Sequence, residues 1–337
     1  MKRLFVDCVP KTIYGKIVSI YRPVLLKSTL AGTLFPFTLI AAVAGAYWLN
    51  QSQGYSSETA ASVASIAAGF WIWAWEFILP YRKQWNKNDS DLAADVVHLT
   101  VTATLTKFIK PLYVFLLIPA VGFLGARYGS DNLWPHHWHL VAQLALVLVL
   151  CEFGRYWFHR LSHNVQCLWR FHAVHHSPNR LYWLNAARFH PVERFYLQIP
   201  ELLPFILLNP SEIVLMMYLV TNSVHGFFQH ANIKTRIGVL NYVFSMTELH
   251  RWHHSKVIEQ SDKNFGNILI IWDLVFGSFF LPKDKEVGVI GVLNPDYPKS
   301  YIGQIIAPFQ HRKDKPSDYE QRKDFYHQQA INPQSDP

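Results

Sequence analysis

Cysteine is nearly absent. The three residues Cys8, Cys151 and Cys167 are odd in number and form no Cys-x-x-Cys pair, in a chain of 337 residues. Neither a disulfide framework nor a thiolate metal site follows from them. Charge is scarce too: Asp, Glu, Lys and Arg make up 16% of the chain, against about 25% in an average soluble domain. With 16 glycines and no Gly-X-Y period, a collagen-like chain is excluded. There is no Gly-rich dinucleotide fingerprint, no nucleic-acid motif and no internal repeat. What is present is apolar: 50% of residues are hydrophobic and 15% aromatic, with 12 Trp. That excludes disorder for the bulk of the chain, and the length allows about two domains. Histidine is the outlier. The chain has 17, more than its glycines, and eleven of them lie between His159 and His254.

The apolar residues come in runs of bilayer length. A crossing helix needs about 20 mostly apolar residues. Residues 33–49 carry no charge, and residues 60–80 carry only Glu76, with Trp71, Trp73 and Trp75 as interfacial anchors. Residues 96–126 are interrupted by Lys107, Lys110 and Pro111, so a tilted or kinked span over 112–126 is expected. Residues 140–158 form the fourth span, ending with Glu152 and Arg155, which at a spacing of three can pair on one helix face. Residues 195–228 are broken at Asn209-Pro210-Ser211 and read as a re-entrant helical hairpin.

Sidedness follows from basic residues. Residues 1–30 hold six Lys and Arg against one acid, Asp7, and Arg82, Lys83 and Lys87 follow the second run, while the loop at 50–59 has none. The basic flanks belong in the cytoplasm, with 50–59 and 127–139 outside. The basic arm reads as an interfacial segment. It does not read as a cleavable signal, because Asp7 interrupts its short apolar stretch. Beyond Pro308 the chain is polar and is expected to be a mobile tail.

The histidines fall into clusters. His159 and His163 form H-x3-H; His172, His175 and His176 form H-x2-H-H; His250, His253 and His254 form a second H-x2-H-H. On a helix, positions i, i+3 and i+4 share a face, so each cluster presents its imidazoles in one direction. Imidazole is a good ligand for Fe, Zn, Cu and Ni. Eight such ligands are too many for one ion, which takes about three or four, and suit two ions with positions left open. The first cluster extends the fourth span by about one turn, which sets the site just outside the bilayer on the cytoplasmic side. Glu152 lies two turns before His159 and, with Glu193, Glu248 and Asp273, is a candidate to accept the second N–H of a metal-bound imidazole. His98, His136, His137, His139, His311 and His327 are expected at interfaces or on the surface.

These clusters carry a resemblance. WFHRLSH at 157–163, LWRFHAVHHS at 168–177 and ELHRWHHS at 248–255, followed by NFGNILIIWDLVFGSF at 264–279, are similar to the fatty acid hydroxylase/sterol desaturase superfamily. The likeness runs from Leu140 to Leu281, and residues 1–95 carry none of it. Within the superfamily the chain is most similar to bacterial sterol desaturase-like proteins and alkylglycerol monooxygenases. The resemblance implies an integral membrane enzyme with two iron ions held by three histidine boxes and O2 as co-substrate. It adds His230, in Gln229-His230-Ala-Asn, as a ninth ligand. His190, in Arg188-Phe-His190-Pro191, becomes a candidate further ligand, and Asp273 a feature of the closing segment.

The expected architecture is therefore an all-α, multi-pass membrane protein with about four spans, a re-entrant hairpin and a cytoplasmic histidine-rich helical cap. Its divisions are residues 1–95 (basic arm and first hairpin), 96–282 (hydroxylase/desaturase domain) and 283–337 (polar tail). The expected activity is O2-dependent hydroxylation or desaturation of an unactivated C–H bond of a membrane lipid: fatty acyl, sterol, ether lipid or aminolipid. Box spacing does not separate the two outcomes. With no fused haem domain and no iron–sulfur ligands, electrons are expected from a separate cytochrome b5 or ferredoxin-type protein and its reductase. An acidic one would be steered by the basic face. The expected membrane is a bacterial inner membrane or the endoplasmic reticulum. The rival reading is a non-catalytic, histidine-rich metal-transfer protein. A carrier needs polar ligands inside its spans, and 33–49 and 60–80 offer none beyond Glu76.

Overall fold

Four helices long and apolar enough to cross a bilayer dominate the computed structural model, which describes residues 11–129, 133–283, 285–310, 319–322 and 324. α1 (Lys11–Gln53), α2 (Ser57–Ile78), α3 (Leu92–Tyr128) and α4 (Leu140–Asn164) are joined to a helical hairpin, α6 (Pro191–Leu208) and α7 (Glu212–His230). Short helices gather at one end: α5 (Gln166–His176), α8 (Thr247–His253), α9 (Ile258–Ser261), α10 (Ile271–Phe276) and α11 (Tyr301–Ile306). Among the described residues there are no strands, only isolated bridges such as Pro80 with Ile233. The protein is an all-α integral membrane protein. Its spans are apolar on the outside as well: Phe37, Ile40, Ile66, Phe77, Phe108, Phe115 and Val141 are exposed, the reverse of a water-soluble surface.

Local sequence explains the helices and their contacts. Ser56 caps α2, its hydroxyl accepting from Thr59 N at 3.2 Å. Ala60, Ala64 and Ala68, spaced by four, form a buried stripe of small side chains that brings α2 close to α7 and α1. Trp71 Nε1 donates to Thr38 Oγ1 of α1 at 3.0 Å. Phe35 of α1 packs edge-on against Phe228 of α7 and Phe244, so the first hairpin shares its core with the second. α4 and α6 meet at Gly154, where a Cβ would lie 2.4 Å from Pro200. The hairpin turns at Asn209, whose φ of 53° is left-handed, as the Asn-Pro-Ser break implies.

Three expectations need correction. Residues 92–128 form one uninterrupted helix despite Pro111 and Pro119. Lys107 sits at its surface, 3.5 Å from Glu58, and at about 1.5 Å per residue such a helix is longer than the roughly 30 Å hydrocarbon layer. Glu152 and Arg155 do not pair, because each is taken by a different neighbour: Glu152 by the backbone amides of Ile268 and Leu269, Arg155 by Glu201 at 3.2 Å. His98 is buried, its Nε2 2.7 Å from Gln304 Oε1 and its Nδ1 3.2 Å from the Phe189 carbonyl. His136, His137 and His139 are exposed as expected, whereas His311, His327 and most of residues 311–337 lie outside the described residues.

Candidate metal centre

The final turns of α4 carry His159 and His163, α5 carries His172, His175 and His176, α7 ends on His230, and α8 carries His250 and His253, with His254 directly after it. Packing of α4, α5, α7 and α8 at one end of the bundle draws these nine rings into two buried groups. One holds His159, His163, His172, His176 and His253; the other holds His175, His230, His250 and His254. His172 is the hub of the first: its Nε2 lies 3.1 Å from those of His159 and His163 and 3.0 Å from that of His176. In the second, His250 Nε2 lies 3.0 Å from those of both His230 and His254. His176 and His254 stack at 4.3 Å between centroids, so the two groups touch.

Six of the nine outer nitrogens have a partner, whereas Nδ1 of His250 and of His254 makes no hydrogen bond among the described residues. Nδ1 of His172 lies 2.5 Å from Glu193 Oε1, that of His163 3.0 Å from Asp262 Oδ1, and that of His230 3.0 Å from Asn185 Oδ1. Nδ1 of His159, His253 and His175 donates to the carbonyls of Phe265 (2.6 Å), Lys263 (2.8 Å) and Arg188 (3.2 Å). With the proton held on Nδ1, these six rings present an Nε2 lone pair inward, and those of His159 and His163 face that of His172 at 3.1 Å with no proton between them. Protonation does not resolve this. Burial, reinforced by neighbouring positive groups, pushes His172, His175, His176, His250 and His254 well below 6.5 and His253 down to about 3. Converging neutral imidazoles oriented from behind are the donor set of a metal site, so the residues fit bound metal ions of the imidazole-preferring kind.

The segment closing the site has a physical reading. Asn264 adopts a left-handed φ of 56°, and its side chain joins the Leu249 and Phe280 carbonyls and the Phe280 amide. Gly266 is required, because a Cβ there would meet the Leu269 carbonyl at 2.4 Å. Asp273 accepts from the amides of Phe265 (2.8 Å) and Gly266 (2.7 Å) and from Ser278 Oγ (2.6 Å). Glu152 accepts from the amides of 267–269. Neither acid touches a histidine. Together they fix the loop whose Phe265 carbonyl orients His159. His190 stands outside both groups: it caps α6, its Nδ1 accepting from Val192 N and its Nε2 lying 3.1 Å from the Ile305 carbonyl. His225 is buried against Phe35 and Phe244, away from both.

Comparison with known proteins agrees with this geometry. The fatty acid hydroxylase family model matches residues 144–278, which include all nine clustered histidines. Ornithine lipid hydroxylase OlsE of Rhizobium tropici is 32% identical over 293 residues, 84% of this chain and 85% of that protein. The chain belongs to the fatty acid hydroxylase/sterol desaturase superfamily. It is a membrane oxidoreductase of that superfamily. Alkylglycerol monooxygenases of Homo sapiens and Danio rerio are each 34% identical over 136 residues, 40% of this chain but 30% of theirs. No solved structure matches.

Sequence reading missed Asp262 and Asn185, and named Glu193 only among four candidate acids without its histidine partner. Their partners lie 99, 45 and 21 residues away, and no local spacing signals such contacts. A buried polar wall near the histidines was missed as well. A cavity of about 190 Å³ is lined by His159, His172, His175, His230 and His250 and also by Arg155, Arg194 and Glu201.

Proposed function

We propose that this protein hydroxylates an unactivated C–H bond of a membrane aminolipid, using O2 and two iron ions held by the nine clustered histidines. The observation that carries the reading is the pair of five- and four-histidine groups beside a cavity with a charged wall. Aminolipid chemistry is favoured over ether-lipid chemistry because the ornithine lipid hydroxylase is similar along 85% of its length, the alkylglycerol monooxygenases along 30%. The overall balance is C–H + O2 + two electrons + two protons giving C–OH + H2O. When bound, iron supplies the reduction of O2 and the removal of hydrogen from carbon.

The chain's own groups hold and shield that chemistry. His159, His163, His172, His176 and His253 would hold one ion, and His175, His230, His250 and His254 the other. Glu193, Asp262 and Asn185 keep the protons on Nδ1 and the rings aimed. Glu152 and Asp273 immobilise the loop behind His159. Electrons come from a separate cytochrome b5 or ferredoxin-type protein with its reductase. The basic flanks support a cytoplasmic site, in a bacterial inner membrane or the endoplasmic reticulum. The test is mass spectrometry of lipids from an ornithine-lipid-producing host with and without the gene. A lipid one oxygen atom heavier is expected, and it should vanish with His176→Ala at matched protein level. Full product from that variant would refute the assignment.

A further inference from the structure

Arg155 on α4 and Arg194 and Glu201 on α6 put three charges inside the bundle, where charge is costly and marks function. Arg155 and Glu201 are more than nine-tenths buried. One carboxylate lies between two guanidiniums: Arg155 Nη1 is 3.2 Å from Glu201 Oε1, and Arg194 Nη2 is 3.2 Å from Glu201 Oε2. A purely structural ionic lock would satisfy its own members. Here Arg155 Nε and Arg194 Nε make no hydrogen bond among the described residues, and Arg155 Nη1 and Glu201 Oε1 meet as an ion pair without hydrogen-bond geometry. The triad also has one positive charge more than negative. Arg155 is nonetheless oriented, since its Nη2 donates to Asn267 Oδ1 at 3.1 Å while Asn267 Nδ2 donates to Asn222 Oδ1 at 2.9 Å. All three side chains line the 190 Å³ cavity that five of the nine clustered histidines border. A cavity of about 150 Å³ takes a molecule of benzene's size, so this one suits a small polar group and not an acyl chain.

We propose that Arg155, Arg194 and Glu201 form the binding site for the zwitterionic headgroup of the lipid substrate. The two guanidiniums receive its carboxylate, and the Glu201 carboxylate receives its ammonium. This rests on the aminolipid reading above and makes these residues specificity determinants. An N-acylated ornithine carries both groups, whereas an alkylglycerol carries neither.

The test measures binding of three short-chain probes to the metal-loaded full chain in detergent. N-octanoylornithine has both groups, N-octanoylputrescine lacks the carboxylate and N-octanoylnorvaline lacks the ammonium. Charge-assisted hydrogen bonds predict that the ornithine probe binds about tenfold or more tighter than either of the others. Arg194→Gln should abolish the preference over the putrescine probe and keep that over the norvaline probe. Glu201→Gln should do the reverse, a crossed pattern that general loosening does not produce. Equal affinities in the wild type, or unchanged preferences in both folded variants, would overturn the site. If a variant does not fold, the wild-type series still decides. Graded binding by a protein that oxidises no lipid would remove the hydroxylase reading and keep this site. Oxidation with ungraded binding would do the opposite.

Discussion

Replacing Glu193 should loosen the metal centre without touching a metal ligand. Glu193 is fully buried, and its Oε1 lies 2.5 Å from Nδ1 of His172. His172 is the ring on which His159, His163 and His176 converge at 3.0–3.1 Å, so its orientation is shared by most of the five-histidine group. Carboxylates behind metal-bound imidazoles contribute about ten- to a hundredfold in metal affinity, equivalent to roughly 1.4–2.7 kcal/mol. Glu193→Gln keeps a neutral acceptor of the same shape and belongs at the low end. Glu193→Ala leaves the imidazole N–H with no acceptor in a buried site and belongs at the high end, with about 1–3 kcal/mol of folding stability lost besides. The assay is anaerobic chelator competition on metal-loaded protein, with thermal melting alongside. Glu248→Gln is the control. Glu248 accepts from the Ile237 amide and Asn241 Nδ2, both at 2.8 Å, and touches no ring. Stability should drop in the control while metal retention stays. Wild-type metal retention in both Glu193 variants, or equal loss in the control, would refute the reasoning.

Elemental analysis of protein made in iron-replete cells should find about two ions per chain, because two groups converge; one ion or none in folded protein would sink the two-metal reading. The neutral rings of His172, His175, His176, His250, His253 and His254 have pKa values depressed from 6.5, for His253 to about 3. Below 6.5 the unfolded chain therefore binds protons that the folded chain refuses. Stability and metal retention should be full above that value and fall as pH drops toward 3; a melting temperature that stays flat from about pH 7 to about pH 5 contradicts this. In a background with Cys8 and Cys167 replaced by Ser, an outside thiol reagent should label Gln53→Cys, exposed at the end of α1, and miss the exposed Lys285→Cys. The reverse pattern would invert the topology.

The spans were legible because crossing a bilayer demands little beyond length and scarcity of charge, both visible in 33–49, 60–80 and 140–158. The histidine clusters were legible for a similar reason: spacing of three and four on a helix fixes direction without knowledge of the rest of the fold. The same local logic failed at α3, where Pro111 and two lysines read as an interruption. A lipid-embedded helix keeps going through proline when its surroundings satisfy the freed groups. It failed again at Glu152 and Arg155, whose spacing permitted a pair that distant residues broke up. His230 and His190 both came from the resemblance, the first as a ninth ligand and the second only as a candidate. Pro191 at the first turn of α6 makes His190 a helix cap, whereas His230, at the end of α7, reaches the cluster.

The facing lone pairs have a consequence for how the protein matures. Without a cation, the inward Nε2 atoms of His159, His163 and His172, whose protons are held on Nδ1, face one another at 3.1 Å, so the histidine end is a frustrated assembly that metal loading relieves. The apolar core shared by α1, α2 and α7, which includes Leu34, Ala64 and Met216, contains none of the clustered histidines. A cell short of metal would therefore accumulate chains inserted and packed in the bilayer but loose where α5 and α8 meet, with that end offered to proteases. Loading then acts as a quality checkpoint, letting only chains able to perform redox chemistry persist.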